Sequence, residues 1–101
     1  MSSWNRYIKD FVSFLKIEKG LAENSVFAYQ NDVFKLRDFA ISNNLEVKDI
    51  RYEHLNLLVK DLFELGLSAR SQARIISGIK HFFHYLLLEK ELITDPSEQL
   101  E

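Results

Sequence analysis

Apolar residues recur at three- and four-residue steps in four stretches of the chain, and this spacing predicts four amphipathic α-helices. The first runs from about Trp4 to Lys19, with Trp4, Tyr7, Ile8, Phe11, Val12 and Leu15 inward. Ser2 or Ser3 precedes it as a cap, and Gly20 follows as a left-handed stop. The second begins between Ala22 and Ser25, buries Val26, Tyr29, Val33, Leu36 and Ala40, and stops at Asn43 and Asn44. After a short extended connection from Leu45 to Ile50, the third turns Leu55, Leu58, Val59, Leu62 and Phe63 inward and ends at Gly66. The fourth spans Ser68 to Glu89 with Ser68 as N-cap; Ile75, Ile76, Ile79, Phe82, Phe83, Leu86 and Leu87 form its core stripe.

Strand signals are weak: no Asn-Gly or Asp-Gly turn occurs, and the β-branched residues are scattered. The expected fold is all-α, a four-helix domain of two helical hairpins packed against each other. Pro96 follows Asp95 beyond the fourth helix and forces an extended exit. The domain is therefore placed at residues 1–96, and 97–101 are read as the start of a linker.

The fourth helix carries a second face. Arg70, Arg74, Ser77, His81 and His84 recur at the same helical steps, giving a column of hydrogen-bond donors. Ser68 and Ser71 add hydroxyls and free backbone amides at the end where the arginines stand. Such a column suits either water or a phosphate backbone, and periodicity alone supports the two equally.

Charge distribution sharpens that choice. The chain of 101 residues has a formal charge of −2, which argues against a uniformly basic nucleic-acid binder. Yet from Ser68 to Lys90 the bases Arg70, Arg74, Lys80 and Lys90 face only Glu89, while acids dominate between Leu21 and Gly66 and after Lys90. A modest basic face lies on an acidic body, and its field orients a ligand more than it holds one. Eight Phe and one Trp supply enough apolar bulk for a single core. With no cysteine, no run of about 18 apolar residues and no signal-peptide layout, the chain reads as a cytoplasmic protein without a membrane segment.

Catalytic chemistry finds little support. His81 and His84 are spaced to share a metal and His54 is a third imidazole, but no carboxylate stands at a matching offset, so no metal site is expected. Asp32, Asp38, Asp61 and Glu64 read mostly as a solvated face. Ser71 and Ser77 lack the strand-to-helix elbow that exposes a nucleophile. Gly20, Gly66 and Gly78 lie too far apart for a phosphate loop; they fit two helix stops and one close helix contact. Tyr29 and Tyr85 read as core rings with hydrogen-bonded hydroxyls. No catalytic residue, metal or cofactor is assigned.

Two segments add a resemblance. In GLAENSVFAYQNDV, Leu21, Ser25, Tyr29, Asp32 and Val33 follow the Leu-x-x-x-Thr/Ser-x-x-x-Tyr-x-x-Asp-Leu pattern that opens the second helix of the N-terminal, core-binding (SAM-like) domain of tyrosine recombinases. In LSARSQARIISGIKHFFHYLLLEKELITDP, Ser71, Arg74, Ile76, Ser77, Gly78, Ile79, Lys80, Phe82, Phe83, Tyr85 and Leu86 fall in register with that domain's fourth helix. The chain resembles the Xer-type recombinases and related phage or transposon integrases over nearly its whole length. Lys80 replaces an arginine of the pattern, keeping charge but giving up bidentate geometry. Tyr52 stands where a Ser or Thr cap is usual, so the third helix should start less firmly.

The resemblance implies that this domain grips double-stranded DNA as one half of a clamp, with helices two and four against the major groove. The other half would be a catalytic domain of the same chain, absent here, so the fragment itself is no enzyme. Other recombinase protomers would be partners in a tetramer on DNA. By resemblance the DNA-binding residues are Asn24, Ser25 and Gln30 on helix two, with Arg70, Ser71, Arg74, Ser77, Lys80 and His81 on helix four. The alternative is a helical protein-interaction module that docks a partner through Phe14, Ile17, Phe27, Phe34 and Ile41.

Overall fold

Four α-helices and one turn of 3-10 helix account for the regular structure in a computed structural model that describes residues 3–101. The helices are α1 (Trp4–Ile17), α2 (Glu23–Ser42), α3 (Tyr52–Glu64) and α4 (Ala69–Leu88), and the 3-10 turn is Val47–Asp49. No strand occurs among the described residues. Helix α2 packs most extensively on α4, α1 lies along α2 and touches α4, and α3 attaches through α4. This is the all-α, four-helix arrangement expected from the periodicity.

The helix ends follow local chemistry. Gly20 and Gly66 adopt φ of +61° and +83°, and Asn44 reaches +57°, so three of the expected stops are left-handed. The Ser68 hydroxyl accepts the Ser71 amide at 3.1 Å and donates to the Ser71 hydroxyl, an N-cap as read from sequence. Ser2 lies outside the described residues. Ser3 precedes α1 but does not cap it by side chain; its hydroxyl donates to Glu46 Oε1 at 3.0 Å. At α3 no side chain caps the helix start, as the absence of a Ser or Thr there predicts; His54 Nδ1 instead accepts the amide of the N-cap residue Arg51 at 2.9 Å. This third imidazole thus has a local structural partner.

Four aromatic rings centre the core. Phe82, fully buried, lies 5.4 Å from Phe11 and from Phe83 and 6.1 Å from Trp4, mixing edge-on and stacked geometries. The Trp4 indole N–H donates to the Leu45 carbonyl at 2.9 Å, tying the start of α1 to the segment after α2. That segment is not simply extended: Val47 and Ile50 enter the core from the 3-10 turn, whose entry is held by the Glu46 amide donating to Asp49. Phe63, expected inward, is 68 % exposed, while Leu62 beside it in the same turn is buried.

Beyond Pro96, where the sequence places a linker, residues 97–100 make a turn against the bundle. Ser97 and Leu100 are buried, the Ser97 hydroxyl donates to Asp95 at 2.6 Å, and Lys80 Nζ donates to the Leu100 carbonyl at 2.8 Å.

The α2–α4 crossing is set by one glycine. A Cβ added at Gly78 would meet the Cβ of Asp32 at 2.9 Å, and that atom is anchored to its backbone and cannot swing away. Gly78→Val is therefore expected to cost about 1–3 kcal/mol of overpacking, read as a lowered urea midpoint with an unchanged slope.

Candidate nucleic-acid interface

One side of α4 is core and the other is polar from end to end. Arg70, Arg74 and His81 are exposed, and Ser71 and Ser77 half-buried, at three- and four-residue steps along a helix whose Ile75, Ile79, Phe82 and Leu86 are buried. The column read from the sequence is thus a continuous surface strip about 1.5 Å long per residue of helix.

Asp32 of α2 underlies that strip, correcting the reading of this acid as part of a solvated face. Its side chain is fully buried, and Oδ1 lies 2.9 Å from Nη1 of Arg74, whose side chain remains 47 % exposed. The contact is a charge pair without hydrogen-bond alignment, and Oδ2 has no hydrogen-bond partner. Burial pushes the Asp32 carboxyl above its usual range, while Arg74 and then Lys35 pull it back. Lys35 is the residue that sequence reasoning missed at this face. It stands one turn beyond Asp32, beside the carboxylate that Arg74 approaches from α4, and only the position of Asp32 reveals it.

A raised carboxyl pKa has a definite sign in stability. The folded state holds the proton more tightly, so the contribution is full below the ordinary value of 3.8 and is lost as pH rises through the raised value. At pH 7 the buried charge stands at a cost. Asp32→Asn is expected to be more stable than the parent protein at neutral pH and to lose that advantage near pH 3.5, checked by urea denaturation at both.

The remaining candidates separate into groups. Ser25 is exposed at the start of α2. Asn24 and Gln30 turn toward α1 and line a cleft of about 350 Å³ with Val12, Lys16 and Phe27, away from the α4 strip. Lys80 is half-buried on the flank held by the Leu100 carbonyl. His81 sits between the strip and α2: its ring centroid is 5.1 Å from that of Tyr29, and Nδ1 is 2.7 Å from the Ser77 carbonyl.

Tyr85 is a core ring, tilted against Phe11 and Phe14 at 5.6 and 4.8 Å. Burial, then Glu89, Asp10, Glu91 and Glu18, push its phenol above the ordinary range. Those carboxylates mark the α1–α4 side as acidic, in contrast to the α4 strip. Of the apolar residues of the alternative reading, Phe14 and Ile17 stand apart from Phe27 and Phe34, whose clefts adjoin and share Val12, Lys16 and Gln30. Phe14 and Ile17 line a cleft with Tyr85, Phe27 lines the Asn24 cleft, and Phe34 lies under Arg37 with the guanidinium 4.3 Å from its ring centre. No group of three or more metal-ligating side chains occurs among the described residues, and no described helix is long and apolar enough to cross a membrane.

The comparisons with known proteins agree with this architecture. Residues 8–90 match the family described as the phage integrase N-terminal SAM-like domain, and the chain belongs to that family. It is 34 % identical over 98 residues to tyrosine recombinase XerD of Staphylococcus epidermidis, covering 96 % of this chain and 33 % of that protein. Tyrosine recombinase XerD of Vibrio vulnificus is 33 % identical over 94 residues, covering 93 % of this chain and 31 % of the relative. XerD of Staphylococcus aureus is 33 % identical over 95 residues. The chain thus spans about a third of the length of the curated relatives it matches.

Proposed function

We propose that this chain is the DNA-binding, core-binding domain of a site-specific tyrosine recombinase, a cytoplasmic protein that grips duplex DNA at a recombination site as one half of a clamp. The observation that carries the reading is the α4 strip: Arg70, Arg74, Ser77 and His81 reach solvent on one side of a helix whose other side is core, beside Lys35 of α2. Arginine and lysine there set position and affinity through phosphates, while His81 addresses base edges. Ser71 joins the strip, and Ser25 flanks it from α2. Asn24, Gln30 and Lys80 lie to either side and reach the same duplex only where it curves past the α4 face. The catalytic domain belongs to the same, longer polypeptide, following a linker that leads on from residues 97–101. Other protomers assemble with it as a tetramer on DNA.

Arg74→Ala tests the reading. At low salt, affinity for a mixed-sequence duplex is expected to fall severalfold, and the salt slope to flatten by up to about one counterion. Amide shifts on adding duplex should map to α2 and α4. Unchanged binding by Arg74→Ala would remove the α4 strip from the interface, and shifts confined to Phe14, Ile17 and Phe27 would favour the protein-docking alternative.

A further inference from the structure

The ring of His81 is held in one tautomer. Its Nδ1 lies 2.7 Å from the carbonyl oxygen of Ser77, one turn earlier in α4, and a carbonyl only accepts, so the proton of the neutral ring sits on Nδ1. The Ser77 hydroxyl is a weaker second neighbour of the same nitrogen at 3.5 Å. Tyr29 of α2 packs on the ring at 5.1 Å between centroids and holds its plane. Nε2 is left as the outward atom of an exposed residue, carrying a lone pair while the ring is neutral.

Arg70 and Arg74 can only donate hydrogen bonds, and in the major groove donors suit guanine edges or phosphates. A neutral Nε2 suits the opposite chemistry. We infer that His81 is a specificity-determining residue that accepts a hydrogen bond from the exocyclic amine of a cytosine or adenine. This rests on the DNA-binding reading above and adds what kind of base edge the strip selects. The polar and charged groups that share clefts with the ring are Tyr29 from α2, Lys80, His84 and Tyr85 from α4, Asp95 from the C-terminal segment, and Lys19 following α1.

Two measurements on the 101-residue chain test this. Long-range 15N NMR of the imidazoles at pH 7.5 should show His81 protonated at Nδ1 and bare at Nε2; the opposite tautomer overturns the inference without touching the DNA-binding reading. Selection from a randomised duplex pool at pH 7.5 should enrich cytosine or adenine about fivefold at one position, the discrimination of a single net hydrogen bond. His81→Ala should lose that preference at that position alone, His81→Gln should favour adenine there, and Arg74→Ala should lower recovery of all sequences without changing the preferred base. Identical enriched sequences for the parent protein and His81→Ala overturn the inference while leaving the DNA-binding reading intact; failure of the parent protein to retain any duplex overturns both.

Discussion

Phe82→Ala is expected to destabilise the domain by about 3–5 kcal/mol, among the largest effects of a single truncation in this core. The ring is fully buried and touches Trp4, Phe11 and Phe83, so its removal leaves a hole that three rigid aromatics cannot close by rotating. Against the roughly 5–15 kcal/mol total of a small domain, such a loss brings the protein near its unfolding midpoint in water. Urea denaturation followed by tryptophan fluorescence reports it directly, since Trp4 is the only tryptophan and stacks on the altered site. A loss below about 1 kcal/mol would mean that the aromatic cluster repacks.

The second large effect concerns salt. On the proposed DNA-binding reading, with Lys35, Arg70 and Arg74 on the strip and Lys80 at its flank, binding is expected to weaken by about a hundredfold between roughly 50 and 200 mM monovalent salt. Fluorescence anisotropy of a labelled duplex across that range gives the slope. A flat response would show that phosphates contribute little and would move the interface away from the α4 strip. The overall charge of −2 makes this steepness a local property of one face rather than of the whole molecule.

Much of this architecture is written in short-range pattern. Apolar steps locate all four helices, and Gly20, Asn44, Gly66 and Ser68 mark their ends because each has a local conformational or capping reason to sit there. What escapes are features whose cause lies far along the chain. Asp32 reads as a solvated acid until Arg74 and Gly78 are brought against it, although Gly78 itself already signals a close helix contact. Val47 and Ile50 lie in a segment too short to show a period, and their burial depends on where α1 places Trp4. Phe63 keeps the helical spacing, yet it is exposed while the adjacent Leu62 is buried, so the inward face of α3 is narrower than its apolar run. Likewise, Gln30 and Asn24 share α2 with Asp32 yet turn toward α1, a division that depends on which side of α2 each neighbour occupies.

The absence of a side chain at Gly78 acts as a gauge for the whole α4 strip. With Asp32 pressed against the bare α-carbon, the separation of the two long helices is fixed by hard atoms rather than by pliable side chains. If the α4 strip reads base edges as proposed, it tolerates displacements of only about 0.5 Å, and a slightly enlarged residue 78 is expected to throw Arg74 and His81 out of alignment before it threatens folding. On that reading, selectivity and thermal endurance are governed at the same crossing by different tolerances, and the first is expected to fail sooner.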